Sequence, residues 1–343
     1  MRLSPLRCPL RGRSRALGRP CGATMGRHAT MSSDSSGPSL ARALAPIGVL
    51  TLVWGCNWPL LKIGVTDMAP LTFRALTLPF AAIGLLAVAR FSGDDIRIPR
   101  EWWPRLCALA LLNIAGWNGF IVFGVQQLPA GRSAILAYTM PLWATLIATF
   151  VLHEPLGRRK LVGLVLGIAG MAILIGDEVR AMSRAPLGVA MILAAAVTWA
   201  FGTVLLRKWK PPLPQNTLTG WMMVVAWLPI AIAAPFFDSQ PLVTELSSVG
   251  VRGWVAIFYN IFLAGTIAHW AWFYLARTLP VAVSSLSSLP VPVVGVFAGI
   301  IVLGEKPGSQ EWIALALVVV ALFIVLSDAG EARPTAAPLA PDD

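Results

Sequence analysis

Charged residues are scarce in this chain. Only 13% of its 343 residues are Asp, Glu, Lys or Arg, about half the share found in a typical soluble domain. Hydrophobic residues make up 57%, and the mean hydropathy is +0.72. A soluble fold of this length would have too few polar residues to cover its apolar side chains. The composition therefore excludes a soluble globular protein and predicts a polytopic protein of the lipid bilayer.

Cysteine is also rare, and its four occurrences show no Cys-x-x-Cys spacing, which argues against a disulfide framework or a zinc site. The sequence lacks the Gly-x-Ser-x-Gly, His-Glu-x-x-His and Gly-x-x-x-x-Gly-Lys motifs of familiar enzymes. We therefore expect no enzyme activity, no metal and no cofactor. An intramembrane enzyme acting on a lipid-soluble substrate is kept as the alternative function. The rings of charged side chains or carbonyls typical of a channel do not emerge from the sequence either.

The net charge of +11 does not indicate a nucleic-acid partner, because of where the cations lie. Eight arginines fall in the first 44 residues, and the other cations separate apolar runs, where Lys and Arg fix membrane orientation. We expect the basic, Ser-rich segment 1–42 and the C-terminal tail 328–343 to be disordered. A transit peptide and an over-extended start, with translation from Met25 or Met31, both account for the N-terminal segment.

Ten apolar runs have the roughly 20 residues that a helix needs to cross a bilayer. The connectors are short, so consecutive helices run antiparallel, and the predicted fold class is all-α with almost no residues left for a soluble domain. The predicted spans 1 to 10 are 43–64, 71–90, 103–126, 131–152, 159–176, 187–206, 217–237, 251–275, 281–303 and 310–327.

The distribution of Lys and Arg predicts the orientation. With the N-terminus inside, the cytoplasmic face receives 20 of these cations and the opposite face 7; without the N-terminal tail the numbers are 12 and 7. We therefore expect a multi-pass protein of the cell membrane, inner or plasma, with both termini cytoplasmic. The seven cations of the opposite face are Lys62, Arg74, Arg132, Arg180, Arg184, Arg252 and Lys306.

The chain contains an internal repeat, because residues 128–154 and 279–305 match at a constant offset of 151. Each copy belongs to a half of five helices, 43–176 and 187–327, and an odd number of helices turns the second half upside down relative to the first. Inverted repeats of this kind recur in secondary transporters. The identical pairs include Leu128/Leu279, Pro129/Pro280, Ser133/Ser284, Pro141/Pro292, Leu152/Leu303 and Glu154/Glu305.

With these motifs the sequence resembles the EamA type of the drug/metabolite transporter superfamily over roughly 45–328. The resemblance implies a ten-helix bundle that exports or exchanges small metabolites, with a central cavity lined mainly by spans 1, 3, 4, 6, 8 and 9. The second half departs from the pattern, since it has Trp199-Ala200-Phe201-Gly202 instead of a second Trp-Gly-x-Asn-Trp. The resemblance is carried by Trp54-Gly55-Cys56-Asn57-Trp58, Lys62, Leu128-Pro129-Ala130-Gly131, Pro141, Leu152-His153-Glu154-Pro155, Pro292 and Leu303-Gly304-Glu305-Lys306.

Polar and aromatic side chains inside the spans are the candidates for substrate binding, since polar groups are costly in a bilayer. Asn57 lies between Trp54 and Trp58, where an amide can bind a solute's polar group while indole rings cover its apolar part. A bridge between two helices is the alternative role for Asn57. The candidate binding residues are Trp54, Asn57, Trp58, Trp117, Asn118, Tyr138, Trp199, His269, Trp270 and Tyr274.

Three residues are candidates for proton coupling, His269, Glu154 and Glu305. Histidine changes charge near physiological pH, but a packing role for His269 and structural anchoring by the two glutamates are the alternatives. Pro141 and Pro292 are expected in the middle of spans 4 and 9, where each permits a kink and so a hinge.

Taken together, these features predict a secondary active transporter. We expect it to export or exchange a small organic metabolite, with amino acids or related compounds as the favoured class, by alternating access coupled to the proton gradient. Its expected partners are the small-molecule substrate and the lipid bilayer; a homodimer is left open.

Overall fold

A computed structural model of the chain describes residues 40–180, 185–238, 242–278 and 287–331. Every regular element within these residues is a helix, so the all-α prediction is confirmed. The two tails predicted to be disordered lie largely outside the described residues, since Leu40 begins the first helix and Glu331 ends the last.

Ten helical spans follow one another within the described residues, and nine of them are long and apolar enough to cross a membrane. The described part of the ninth is shorter, because residues 281–286 of the predicted span are not described. The other limits agree with prediction to within four residues. The spans are Leu40–Asp67, Pro70–Phe91, Arg100–Gln127, Ala130–Val151, Arg158–Arg180, Ala185–Trp209, Gln215–Phe237, Val251–Thr278, Pro290–Leu303 and Ser309–Glu331, with a short helix, Leu242–Ser248, between spans 7 and 8.

Span 4 is not one continuous helix. It consists of Ala130–Ala137 and Met140–Val151, separated by a turn at Tyr138 and Thr139. Pro141 therefore lies in the first turn of the second segment, where its missing N–H has no intrahelical partner to lose. The expectation that Pro141 lies inside an unbroken helix is wrong.

The described part of span 9 repeats this arrangement. A turn at residues 287–289 precedes the helix Pro290–Leu303, and Pro292 again lies in the first helical turn rather than in the middle of the helix. At equivalent positions in the two halves, a helix thus begins directly after a turn. The backbone angles of such a turn can change without breaking the hydrogen bonds of a helix.

Spans 3 and 8 each contain a π-helical segment, Ala110–Gly116 and Tyr259–Ile267. Such wide turns are rare and frequent at functional sites. Both segments turn a buried asparagine, Asn113 or Asn260, towards the bundle interior. Asn113 fits only because residue 202 is glycine: a Cβ there would lie 2.0 Å from the amide oxygen of Asn113.

The pairing of spans follows a pseudo-twofold pattern. Span 1 packs on span 9 as span 6 packs on span 4, and span 8 contacts span 1 as span 3 contacts span 6. Spans 2 and 7 pair with each other, as do spans 5 and 10. The helices of each half therefore pack mainly against helices of the other half, so neither half forms a separate core.

The positions of the two matched glutamates establish that the halves are inverted. Glu305 accepts hydrogen bonds from the backbone N–H groups of Ala130 (2.5 Å) and Gly131 (3.0 Å), at the start of span 4. Glu154 follows Val151, the last residue of span 4. The two glutamates thus lie at opposite ends of one helix pair. We call these ends of the bundle the Lys62 side, which holds Glu305, and the Glu154 side.

Candidate functional site

A cavity of about 140 Å³ lies inside the bundle, and both halves contribute to its walls. We call it the central cavity. Spans 2 and 7 line it in addition to the spans implied by the resemblance, and no described residue of span 9 does. The lining residues that the sequence did not indicate are Arg74, Thr77, Leu78, Ala81, Ile114, Met140, Met223, Asn260, Ala264 and Gly265.

Eight of the ten candidate binding residues line the central cavity. Trp270 and Tyr274 do not: they are 40% and 38% exposed on the outer surface of the bundle, with their rings 5.8 Å apart. Each residue of a helix is rotated by about 100° from the one before it. Trp270, the next residue after His269, and Tyr274, five residues after it, therefore lie on other faces of span 8. The eight are Trp54, Asn57, Trp58, Trp117, Asn118, Tyr138, Trp199 and His269.

Aromatic rings form much of the cavity wall. Trp117 of span 3 packs on Trp199 of span 6 with ring centroids 5.2 Å apart. On the other side, Trp58 of span 1 meets the edge of Tyr138, at 6.4 Å. Flat apolar surfaces of this kind suit the non-polar part of a small solute, while the indole and phenol groups retain polar edges.

The side-chain amides of Asn118 and Asn57 differ in their hydrogen bonding. Asn118 donates from Nδ2 to the carbonyl of Ile114, one turn earlier, at 2.9 Å. The Oδ1 atom of Asn57 is buried and accepts no hydrogen bond from any described residue. A buried acceptor without a donor is costly, so Asn57 places an unsatisfied acceptor in the wall of the cavity.

His269 is held in one orientation. Its Nδ1 lies 2.9 Å from the carbonyl oxygen of Ala264, and because a carbonyl only accepts, Nδ1 carries a hydrogen. In the neutral ring Nε2 is then the acceptor. Trp54 packs against His269 edge to face at 5.4 Å and donates from Nε1 to the same carbonyl at 3.3 Å.

Arg74 is the principal lining residue that sequence reasoning missed. The charge count assigned it to a membrane face, but its side chain enters the bundle and is only 9% exposed. Its Nη1 donates to Oδ1 of Asn260 at 3.0 Å. An arginine within the predicted limits of span 2 was the available signal.

Glu154 and Glu305, the other coupling candidates, lie at the ends of the bundle and not in the central cavity. Glu154 pairs with Arg207 at 2.5 Å and with Lys160 at 3.7 Å. Glu305 caps the start of span 4 through backbone N–H groups, where negative charge is favoured. Both contacts are those of structural anchors.

Lys62 is likewise a structural cation. Its Nζ donates to the carbonyl oxygens of Val125 (2.9 Å), Gln126 (2.7 Å) and Leu128 (3.1 Å), at the end of span 3. The last carbonyls of a helix lack intrahelical partners, and the positive charge satisfies three of them. Its side chain is thus committed to the wall of the bundle.

Two carboxylates from the segment after span 7 hold the start of span 2, which carries Arg74. Thr72 donates to Oδ2 of Asp238 from its backbone N (2.6 Å) and its hydroxyl (2.7 Å), and Ala69 N donates to Glu245 at 2.8 Å. Burial raises the pKa of Glu245, and the hydrogen bond from Ala69 opposes that rise. The second half therefore fixes the position of span 2.

No group of three or more His, Cys, Asp or Glu side chains placed to hold a metal ion occurs in the part of the chain that the structure describes. The central cavity is instead an apolar site with a few polar groups, the usual composition of a small-molecule binding site.

Comparison with known proteins gives a consistent match over both halves. A sequence profile of the EamA-like transporter family matches residues 45–176 and, a second time, residues 186–327. Among solved structures, the crystal structure of a protein with 22% sequence identity superposes with a TM-score of 0.60, covering 85% of this chain and 99% of that chain. This second likeness concerns the fold.

Several bacterial proteins are similar over most of their length. The chain is 29% identical to an uncharacterized inner membrane transporter, YedA, of Escherichia coli K12, over 85% of this chain and 94% of that protein. It is 25% identical to an uncharacterized transporter, YoaV, of Bacillus subtilis, over 78% and 90%. It is 26% identical to a probable amino-acid metabolite efflux pump of Escherichia coli K12, over 81% and 93%.

Proposed function

Because the chain belongs to the EamA-like transporter family, we propose that it exports or exchanges a small organic solute by alternating access, with the central cavity as the binding site. Family membership makes the chain a membrane transporter. The proposal adds the class of solute, the route and the energy coupling.

The observation that carries the proposal is that the two inverted halves wall one cavity between them. In such an architecture a rocking motion of one half against the other exposes the same site first to one side of the membrane and then to the other. The turn at Tyr138 and Thr139 supports this motion, because Tyr138 and Met140 line the cavity directly beside the break in span 4. Pro141 and Pro292 mark the two proposed hinges.

The walls of the cavity favour an amphipathic solute. Tryptophan and tyrosine rings supply apolar surface, while Asn57, Asn118 and Arg74 supply polar contacts. Amino acids combine these two properties, and the name of one relative, a probable amino-acid metabolite efflux pump, points the same way. Amino acids are therefore the first solutes to test.

We further propose that His269 carries the coupling proton. It lies in the cavity wall, where the state of the solute site and the state of the ring can influence each other. Arg74 and Tyr138 are the other titratable side chains that line the cavity among the described residues. Glu154 and Glu305 are engaged at the ends of the bundle, so the coupling proposal rests on the histidine alone.

The proposed location is the inner or plasma membrane, with both termini cytoplasmic. The excess of Lys and Arg in the connectors of the Glu154 side supports that assignment. In this orientation the Lys62 side faces away from the cytoplasm.

The test is a counterflow assay with purified protein in liposomes, screened over amino acids, nucleobases and amphipathic cations. Vesicles loaded with one unlabelled solute accumulate its labelled form only if the protein exchanges it. Mass spectrometry of the recovered solute separates transport from conversion: an unchanged solute supports a transporter, and a converted one supports the intramembrane enzyme. No exchange of any class contradicts the proposal.

Asn57 provides a variant that separates binding from stability. Asn57→Leu removes the unsatisfied acceptor, so we expect a protein at least as stable as the wild type whose uptake at low solute concentration falls about tenfold. The matched control is Asn113→Leu, which removes the donor to Trp199 O (3.1 Å) and Thr203 Oγ (3.3 Å) outside the cavity. It should lower the melting temperature. Undiminished uptake by Asn57→Leu would contradict a binding role.

A further inference from the structure

Arg74 has an unusual environment for a charged side chain in a membrane bundle. Among the described residues that line the central cavity, it is the only lysine or arginine. It belongs to the second turn of span 2, and its guanidinium carbon lies 5.5 Å from the centre of the Phe73 ring. The polar contact that positions it is the hydrogen bond to Oδ1 of Asn260, at 3.0 Å.

This guanidinium has no carboxylate partner within the described part of the chain. The ion pairs found there join Arg132, Lys160 and Arg207 to glutamates, and none involves Arg74. Its Nε is buried and lacks a hydrogen-bond acceptor. One neutral amide oxygen therefore faces a group with five N–H donors and a full positive charge.

Leaving a buried cation without a counterion is costly, since its hydration is lost and nothing replaces it. The chain meets this cost elsewhere: Arg132, whose side chain is 9% exposed, pairs with Glu311. Arg74 is buried to a similar extent, but its side chain lines a cavity and does not contact a glutamate. The missing counterion has to come from the cavity.

A carboxylate is the group that fits. It presents two oxygens in the spacing of the guanidinium fork, and such paired hydrogen bonds are among the strongest in proteins. We propose that Arg74 binds the carboxylate of the transported solute, so that the substrates are organic acids with a single carboxylate. This inference rests on the proposed function and names its substrate class.

Two further features narrow the class. One cation balances one negative charge, so a carboxylate is favoured over a doubly charged phosphate ester. The buried Oδ1 of Asn57 needs a donor, and an amino or hydroxyl group on the same solute supplies it. Trp117 and Trp199 then cover an apolar side chain. Amino acids and hydroxy acids with apolar side chains meet all three conditions.

Probes that share a phenyl ring test the charge requirement without altering the protein. Binding of L-phenylalanine, 3-phenylpropionate, their two amides and phenyl phosphate is measured by titration calorimetry on the purified wild type. We expect each acid to bind at least about 30-fold more tightly than its amide, the size of effect seen when a buried charge pair loses one partner. Equal binding of acid and amide, no binding of either acid, or preference for phenyl phosphate would overturn the inference.

Variants then assign the effect to Arg74. Arg74→Gln should reduce the affinity for the acids to that for the amides, and Arg74→Lys should give an intermediate value, because lysine keeps the charge but not the fork. Arg132→Gln is the matched control: it removes a buried arginine outside the cavity and should lower the melting temperature while the preference for acids persists. An Arg74→Gln protein that still prefers acids overturns the assignment.

The counterflow screen separates this inference from the proposed function. If the wild type moves solutes and all of them lack a carboxylate, transport stands and the role of Arg74 falls. If the wild type moves no solute of any class, the proposed function fails, and the inference fails with it. Should Arg74→Gln not fold, the acid and amide titrations of the wild type still decide.

Discussion

At the scale of the residue, His269 shows how local geometry prepares a side chain for a proton. Ala264 O fixes the hydrogen on Nδ1, and Trp54 packs against the ring from the side. The free position is therefore Nε2, the atom that gains or loses a proton when the ring titrates.

Replacing His269 with glutamine keeps a donor for the Ala264 carbonyl and removes titration. If the ring carries the coupling proton, wild-type uptake depends on pH, whereas the His269→Gln profile is flat. The matched control is His153→Asn, since His153 lies outside the cavity with φ 56°, a backbone angle that asparagine tolerates. A pH profile of His269→Gln that matches the wild type would rule out the coupling role.

The sequence identified single site residues where the residue type alone is unusual inside a membrane span, because burying a polar group there costs free energy. Tryptophans and amides inside an apolar run stand out, and eight of the ten candidates line the cavity. Arg74 did not stand out, because an arginine near a span end also serves as an orientation signal. Its burial depends on Asn260, 186 residues further along the chain, a contact that no local pattern contains.

At the scale of the element, glycines decide how closely spans pack. Gly163 of span 5 faces span 10: a Cβ there would lie 2.6 Å from Cγ2 of Val325 and 3.0 Å from the carbonyl oxygen of Ala321. Backbone atoms cannot move aside as a flexible side chain can. Small residues at such contacts let membrane helices approach closely.

Substituting this glycine tests the contact. Gly163→Ala should lower the free energy of unfolding by about 1–3 kcal/mol, because the extra methyl group meets a fixed carbonyl. Gly176→Ala, in the same span but with nothing within 4 Å of the added Cβ, should cause no loss. Thermal unfolding of both variants in detergent measures the difference; equal melting temperatures would contradict the packing.

The limits of the helices were largely predictable, because an apolar run bounded by polar connectors is a strong local signal. The interruption of span 4 was not. Tyr138 and Thr139 form a turn within a mostly apolar run, and Thr139 stabilises it by accepting from Trp143 Nε1 (3.2 Å) and donating to Leu136 O (2.6 Å). Pro141 lies close to the turn, but the presence of a proline did not reveal that the helix is interrupted before it.

At the scale of the whole molecule, contacts between the halves hold the Lys62 side together. Carboxylates of the second half meet the first half at each of these contacts. Asp238 and Glu245 hold the start of span 2, Glu305 holds the start of span 4, and Glu311 pairs with Arg132. Alternating access requires that these contacts separate when the cavity opens to this side.

A reversible cross-link across the Lys62 side tests whether these contacts separate during transport. In a variant whose four cysteines are replaced by serine, Arg132→Cys and Glu311→Cys are joined by a cleavable bifunctional thiol reagent, and counterflow is measured before linkage, after linkage and after cleavage. Each single-cysteine variant treated in the same way is the control. If alternating access opens this side, linkage stops counterflow and cleavage restores it. Counterflow that continues at full rate while the two spans remain joined would contradict it.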